Sequence, residues 1–194
     1  MKKFFAVLLV ALFGAVSLFA DDVADVKLTI VKNLELDANG DFAGSWALYA
    51  PDYQETDSEG KTANYEQLQW MTLALDGKHP VEFVRFLYSV KNNMAMPPRE
   101  ELPRIDRLAH TPECLEIYSK VLPALVAEQK ADAALALKTL KFVSVRVDGN
   151  KAVAIVEYDS KGAESGGIKH KIETLSLRKV DGKWMFYRAV VKDK

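Results

Sequence analysis

Asp52, Tyr53 and His170 are the side chains of this sequence best suited by type and setting to move protons. Asp52 and Tyr53 follow Pro51, where a short strand is expected to leave a helical layer. A carboxylate held among apolar neighbours has a raised pKa and can serve as a base near neutrality. Asp52 is therefore the candidate general base, with Tyr53 or His170 assisting, since the imidazole pKa suits proton transfer at neutral pH. Each also has a structural reading. Asp52 can satisfy the turn after Pro51, and a lone histidine is more often a surface or packed residue. Trp46, Tyr49, Tyr53, Tyr65 and Trp70 form an aromatic set suited to a core or a pocket wall. A cavity walled by such rings favours an apolar or planar ligand.

Glu173 and Arg188 are the candidate charged anchors. Asp181-Gly182 is a two-residue hairpin signal. A tight turn there pairs Val180 with Lys183, Lys179 with Trp184, Leu177 with Phe186 and Leu175 with Arg188. Side chains alternate between faces, so Glu173 falls on the face of Trp184, Phe186 and Arg188, diagonal to the guanidinium. A one-residue bulge would reverse that assignment. The pair reads either as an anchor for a polar ligand group or as a structural ion pair at a sheet rim.

Other chemistries are excluded. His79 and His110 give no metal spacing. Asp37-Ala38-Asn39-Gly40-Asp41 fails as a calcium loop, because its glycine stands at the fourth place and Leu48 occupies the twelfth. There is no phosphate loop, dinucleotide fingerprint or nucleophile elbow, so no cofactor is expected. Cys114 is the only cysteine, which rules out an intrachain disulfide, and it is expected to be packed inside a helix. The 26 Lys and Arg against 27 Asp and Glu lack the concentrated basic surface that nucleic acid requires.

The elements that must position these residues follow from periodicity. Val23, Val26, Ile30, Val31 and Leu34 fall at helical spacing, and Asp37 to Asp41 is a polar break. Phe42, Trp46 and Tyr49 predict a short second helix ended by Pro51, followed by a strand over Asp52 to Thr56. Asn64 and Gln67 form a capping box for the next helix, and Gly77 suits its end. Residues 78 to about 138 read as helix: Pro80 to Asn92, Arg99 to Leu108, and a third opened by Thr111-Pro112. Pro123 is expected to kink or divide the last. Four strands follow, at Lys141–Val147, Lys151–Tyr158, Ile168–Lys179 and Lys183–Val190. Turns at Asp148-Gly149-Asn150, Gly162 to Gly167 and Asp181-Gly182 separate them.

Ala47-Leu48-Tyr49-Ala50-Pro51-Asp52-Tyr53 with Tyr65-Glu66-Gln67-Leu68 resembles the front half of secreted nuclear transport factor 2-like domains, the superfamily of the SnoaL-like proteins. Val147 to Ala152 and Glu173 to Trp184 resemble its back half. The resemblance covers roughly residues 23–76 and 139–190, and the helical block between them departs from the family pattern. It implies an α+β fold with N-terminal helices on a curved antiparallel sheet, a cone with a cavity at its wide end, interrupted here by a central helical insertion at about 78–138. It also implies a homodimer through the sheet, for which Met185 and Tyr187 lie on the appropriate face. Some relatives are isomerases, dehydratases or cyclases, and many bind or assemble without chemistry. Fold does not choose among them.

The first functional reading is accordingly a binding or assembly domain for a small, partly apolar molecule, without catalysis, using Trp46, Tyr49, Tyr53, Tyr65, Trp70, Glu173 and Arg188. The alternatives are a cofactor-free isomerase or dehydratase with Asp52 as base, and an interaction protein using its helical insertion. Met1-Lys2-Lys3, the apolar run Phe4 to Ala20 and Asp21-Asp22 have the layout of a secretory signal peptide, leaving residues 21–194 as one domain. That layout predicts a bacterial periplasmic or secreted protein with no membrane attachment after cleavage. Intact-mass measurement on exported material is expected to find a chain beginning at or near Asp21, and a mature chain retaining Met1 to Ala20 would overturn the leader.

Overall fold

The computed structural model describes residues 2–92, 95–161 and 167–194, with side chains from residue 21 onward. The side chains of the expected leader, and the turn expected over Gly162 to Gly167 apart from Gly167 itself, therefore lie outside the described residues. Helix α1 spans Lys2–Asn39. Its inward stripe is Val26, Ile30 and Asn33, each less than a tenth exposed, as the 3.6-residue period demands. The helix runs through the expected break at Asp37 and stops at Gly40. The Gly40 amide donates to the Asp37 carbonyl and the Asp41 amide to the Leu36 carbonyl, a Schellman closure that needs the positive φ of Gly40. Asp41 then caps the one-turn helix α2, Phe42–Trp46, by accepting from the Gly44 amide.

Strand β1 covers Tyr49–Thr56, so Tyr49 begins a strand rather than continuing the short helix. Pro51 sits inside it. Proline has no amide hydrogen to give a ladder, and the pairing of β1 with its neighbour shifts register between Tyr49 and Gln54. Strand β2, Thr62–Asn64, leads into α3, Tyr65–Leu75, through the Asn64/Gln67 capping box. Helices α4, Pro80–Lys91, and α5, Leu102–Ala109, come next. Helix α6 runs unbroken over Pro112–Thr139 with Pro123 inside it, so Pro123 does not divide it. Thr111 caps α6 by accepting from the Cys114 amide, and Cys114 is partly buried on that helix. Among the described residues no helix is long and apolar enough to cross a membrane.

Strands β3, Lys141–Asp148, β4, Lys151–Lys161, β5, Ile168–Val180, and β6, Lys183–Asp193, form the expected meander. The six strands lie in the order β2-β1-β6-β5-β4-β3. Two features of this sheet correct the expectation. It is mixed, because β1 runs parallel to β6. It is also open: β2 and β3 are its edges and do not pair with each other, so among the described residues the sheet is not curled into a cone and forms no cone-shaped pocket.

One face is covered by α1 and α6, which pack on each other and on the sheet. Its core comprises Val26 and Ile30 with Ala154, Val156, Leu175, Leu177, Trp184, Phe186 and Ala189. The small alanines of β4 and β6 let the two helices approach. A second core, Ala74, Phe83 and Tyr118, holds the helical insertion together. There the Tyr118 hydroxyl donates to the Ala74 carbonyl at 2.5 Å, and Arg85 binds Asp106 through two hydrogen bonds of 2.9 and 2.7 Å, tying α4 to α5.

The β5–β6 hairpin decides which side chains face these helices. Asp181 and Gly182 both have positive φ, the conformation of a tight two-residue turn whose twist matches that of the strands. Val180 pairs with Lys183, Lys179 with Trp184 and Leu177 with Phe186, as counted from the sequence. The ladder then shifts, and Ser176 pairs with Arg188, Leu175 with Ala189 and Glu173 with Val191. Tyr187 is the extra residue. Trp184 stays on the inner face at 4 % exposure, under the Lys179 ammonium 5.1 Å from its ring. Trp184→Ala is expected to cost about 3–5 kcal/mol, as truncation of a core aromatic does. Denaturant unfolding measures this, and a loss below about 1 kcal/mol would show the indole to be outside the core.

Candidate functional site

Between the inner sheet face and the two covering helices lies a cavity of about 240 Å³. Strand alternation supplies its floor: Tyr49, Tyr53 and Glu55 from β1, Val156 and Tyr158 from β4, Glu173 and Leu175 from β5, Phe186 and Val191 from β6. Helix α1 contributes Ile30, Asn33, Leu34 and Asp37, which are spaced three and four apart and so share one face. Helix α6 closes the roof with Gln129, Asp132, Ala133 and Ala136. A smaller cavity of about 180 Å³ adjoins it, sharing Asp37, Tyr49, Tyr53, Glu55 and Gln129 and adding Trp46.

The aromatic side of this space is tightly built. Trp46 stacks on Tyr49 at 4.8 Å between ring centroids and lies 4.7 Å from Tyr65. Tyr49 meets Tyr53 edge-on at 4.6 Å. Polar tips are tethered within the wall. The Tyr49 hydroxyl donates to Asn33 Oδ1 at 3.2 Å, and Asn33 Nδ2 donates to Ser45 Oγ at 2.7 Å. The Tyr53 hydroxyl donates to Glu55 Oε2 at 3.0 Å. The indole Nε1 of Trp46 is buried with no hydrogen-bond partner among the described residues.

Three carboxyls on the wall are displaced from their ordinary acidity. Burial, reinforced by Glu55 and opposed by the Tyr158 hydroxyl, raises Glu173 to about 8. Burial raises Asp37 to about 6, opposed by Ser45 and helped by Asp41. Burial also raises Glu55, against the pull of the Tyr53 hydroxyl. Glu55 and Glu173 are partly exposed and line the cavity. The phenols of Tyr49, Tyr53 and Tyr158 are pushed upward by burial and stay protonated. Asp132 is engaged otherwise, accepting from the Lys161 amide at 2.6 Å and from Ser160 Oγ at 3.1 Å.

The residues singled out in the sequence separate into two groups. Tyr49, Tyr53 and Glu173 line the main cavity, and Trp46 lines the adjoining one. Tyr65 backs Trp46 without reaching either. Trp70 is buried elsewhere, 5.9 Å from the Arg85 guanidinium. Asp52 lies outside: its carboxylate is 60 % exposed and takes two hydrogen bonds from Arg178, at 2.9 and 2.5 Å. A solvated, paired carboxylate lacks the desolvation that makes a base. His170 is on the outer face, its Nδ1 2.9 Å from Asp159 and its Nε2 3.5 Å from Glu157. Arg188 is exposed, turned out by the extra residue in β6, so it does not meet Glu173. Asp37, Glu55 and Tyr158 were missed, although their spacing carried a signal. Tyr158 continues Ala152-Ala154-Val156 at period two, Glu55 follows Tyr53 in the same way, and Asp37 continues Ile30-Asn33-Leu34 around a helix.

No protein-family model matches this chain, and no curated protein does. A solved structure shares its fold. The chain is similar to an NTF2-like protein with a cystatin-like fold from Novosphingobium aromaticivorans, at 14 % identity and a TM-score of 0.51, over 93 % of this chain and 87 % of that one. It is also similar to an NTF-2-like protein of unknown function from Shewanella oneidensis, at 15 % identity and a TM-score of 0.45, over 88 % of this chain and 98 % of that one. With the first of these the chain shares a fold, described there as NTF2-like and cystatin-like.

The buried acids set a pH dependence. Glu173 binds its proton more tightly folded than unfolded, with its pKa raised from 4.5 to about 8. Stability is therefore expected to fall as pH rises through that window, because the unfolded chain has already lost the proton. Asp37 adds to the same slope below about 6. Urea unfolding across the window checks this, and Glu173→Gln is expected to flatten the upper part, where one group contributes at most about 1.4 kcal/mol per pH unit. An unchanged slope in the variant would show that Glu173 is not the titrating group.

Proposed function

We propose that this chain is a small-molecule-binding domain, of the secreted SnoaL-like kind, that holds its ligand between the sheet and helices α1 and α6. The single observation carrying this reading is the convergence of Asp37, Glu55 and Glu173 with Tyr49, Tyr53 and Tyr158 on one cavity. Buried carboxyls without a structural ion pair are costly, and a fold that keeps several on one cavity wall has a use for them. A mixed apolar and polar lining of this kind is what orienting a partly apolar ligand requires. Among the described residues no group of three or more His, Cys, Asp or Glu side chains could hold a metal ion, which supports an organic ligand. The reading includes export, on the Met1–Ala20 leader pattern. It also includes pairing of two copies through the face carrying Met185 and Tyr187, which sedimentation of the purified chain measures.

A second reading has its own observation. Asp37 at about 6 and Glu173 at about 8 bracket neutral pH on one cavity wall, which provides a base and an acid in the same space. Proton transfer on a bound carbonyl compound would use these two groups, and Asp52 has no part in it.

An NMR titration with a small-fragment library tests the binding reading. Ligands are expected to shift the amides of Tyr53, Ala136 and Glu173, whose side chains face the cavity. Shifts confined to the outer sheet face, around Asp52 and Arg178, would overturn it.

A further inference from the structure

We infer that the ligand of this cavity is a small organic cation, an ammonium or guanidinium carried on an apolar body, seated between the Glu55 and Glu173 carboxyls and the tyrosine rings. This rests on the cavity being a ligand site. The first support is the charge inventory. Among the described residues, no Lys, Arg or His lines either the main cavity or the adjoining one. The groups that face Glu173 are Asp37 from α1, Tyr49, Tyr53 and Glu55 from β1, Tyr158 from β4 and Asp132 from α6. All are acidic or neutral. An anionic ligand would meet carboxyls with no cation to receive it, whereas a cation meets only complementary groups.

The second support is the unused bonding capacity of the two glutamates. Glu55 takes one hydroxyl hydrogen, from Tyr53. Glu173 has the Tyr158 hydroxyl beside it. A phenol carries one hydrogen and engages one oxygen, so each carboxyl keeps a second oxygen without a side-chain partner among the described residues. Both residues are partly exposed and line the cavity. Acceptor oxygens on its wall are open to whatever donor the cavity receives. An ammonium or guanidinium supplies several N–H donors and the charge together.

The third support is the aromatic wall. Tyr49 and Tyr53 meet edge to face at 4.6 Å, with Trp46 stacked behind. Tyr49 has Trp46 on one side and Phe186 on the other, so the rings supply apolar surface for the body of the ligand while the carboxyls receive its charge. A metal ion is the competing cation, and the carboxyls are too dispersed to form a metal site.

Seating a cation also balances protons. In the free protein near neutrality Glu173 is largely a carboxylic acid. As the cation arrives, the Glu173 O–H proton passes to the buffer and the carboxylate faces the ligand. One positive charge enters, one leaves, and the charge of the site is unchanged.

Calorimetry on the purified chain with benzylammonium, benzyl alcohol and benzoate separates charge from shape, because the three bodies are nearly alike. Benzylammonium is expected to bind at least about tenfold more tightly than benzyl alcohol, and benzoate not to bind. Repeating the titration in buffers of different ionisation enthalpy is expected to show proton release. Glu173→Gln is expected to lose both the release and most of the preference, while its melting curve reports that it still folds. Equal or tighter binding of the alcohol or benzoate would overturn the cation inference and leave the cavity reading standing. So would benzylammonium binding that Glu173→Gln leaves unchanged. Failure of all three to bind at millimolar concentration also overturns it, and the fragment titration then decides separately whether the cavity binds anything.

Discussion

The extra residue that β6 inserts opposite Ser176 and Leu177 governs how the inner face of this protein is built. Up to that point Trp184 and Phe186 point inward beside Leu177. Past it the parity of β6 is reversed, so Ala189 and Val191 face inward and Arg188 faces solvent. A bulge bends its strand and re-aims side chains without disturbing the partner strand. Strand β5 keeps its own alternation, and Glu173 stays inward with Leu175 and Leu177. Glu173 is thereby separated from the guanidinium that a regular ladder would have set beside it. A carboxyl with a cationic partner would titrate low; deprived of one, it is held as an acid by its surroundings.

The same displacement makes room. Ala189 is fully buried next to Leu175 and opposite α1, where a longer side chain would fill the space beneath the helix. The alanines of β4, Ala152 and Ala154, and those of α6, Ala133 and Ala136, do the same on their elements. Small residues at these places bring backbones close at the bottom of the layer. The large rings of Trp46, Tyr49 and Phe186 prop it open further along. The cavity is thus a consequence of an uneven distribution of side-chain volume between the sheet and the helices, and it needs no closure of the sheet. Its acidity follows from the enclosure, since burial is the largest cause of the raised Asp37, Glu55 and Glu173.

The helical insertion stands apart from this logic. Helices α4 and α5 pack around Phe83 and Tyr118 and are joined by Arg85 and Asp106. They are tied to the domain by α3, which packs on α4 and gives Ala74 to their core, and by the long helix α6. Its first half belongs to the insertion, through Tyr118, and its second half to the roof of the cavity, through Ala133 and Ala136. A continuous helix across Pro123 is possible because α6 is held on both sides. Tertiary packing commonly outweighs a single local propensity, and here it overrides the expected division.

Local chemistry determined much of this protein. The capping box at Asn64 and Gln67, the positive-φ turn at Asp181-Gly182, the period-two meander and the helical stripe of Val26 and Ile30 were all legible, because each depends on residues within a few positions of one another. The inward place of Glu173 followed from β5 alone, and so was legible too. What required the tertiary structure was every relation between distant segments. The parallel pairing of β1 with β6 joins strands more than a hundred residues apart, and no local pattern records it. The bulge in β6 puts Ala189 rather than Arg188 on the covered face. Asp52 faces outward because its neighbour Tyr53 faces in, and there it meets Arg178 from a strand far along the chain. The set Asp37, Glu55, Tyr158 and Glu173 exists only because four separate elements bring one residue each to the same space, and the titration of a carboxyl depends on that surrounding rather than on its own identity.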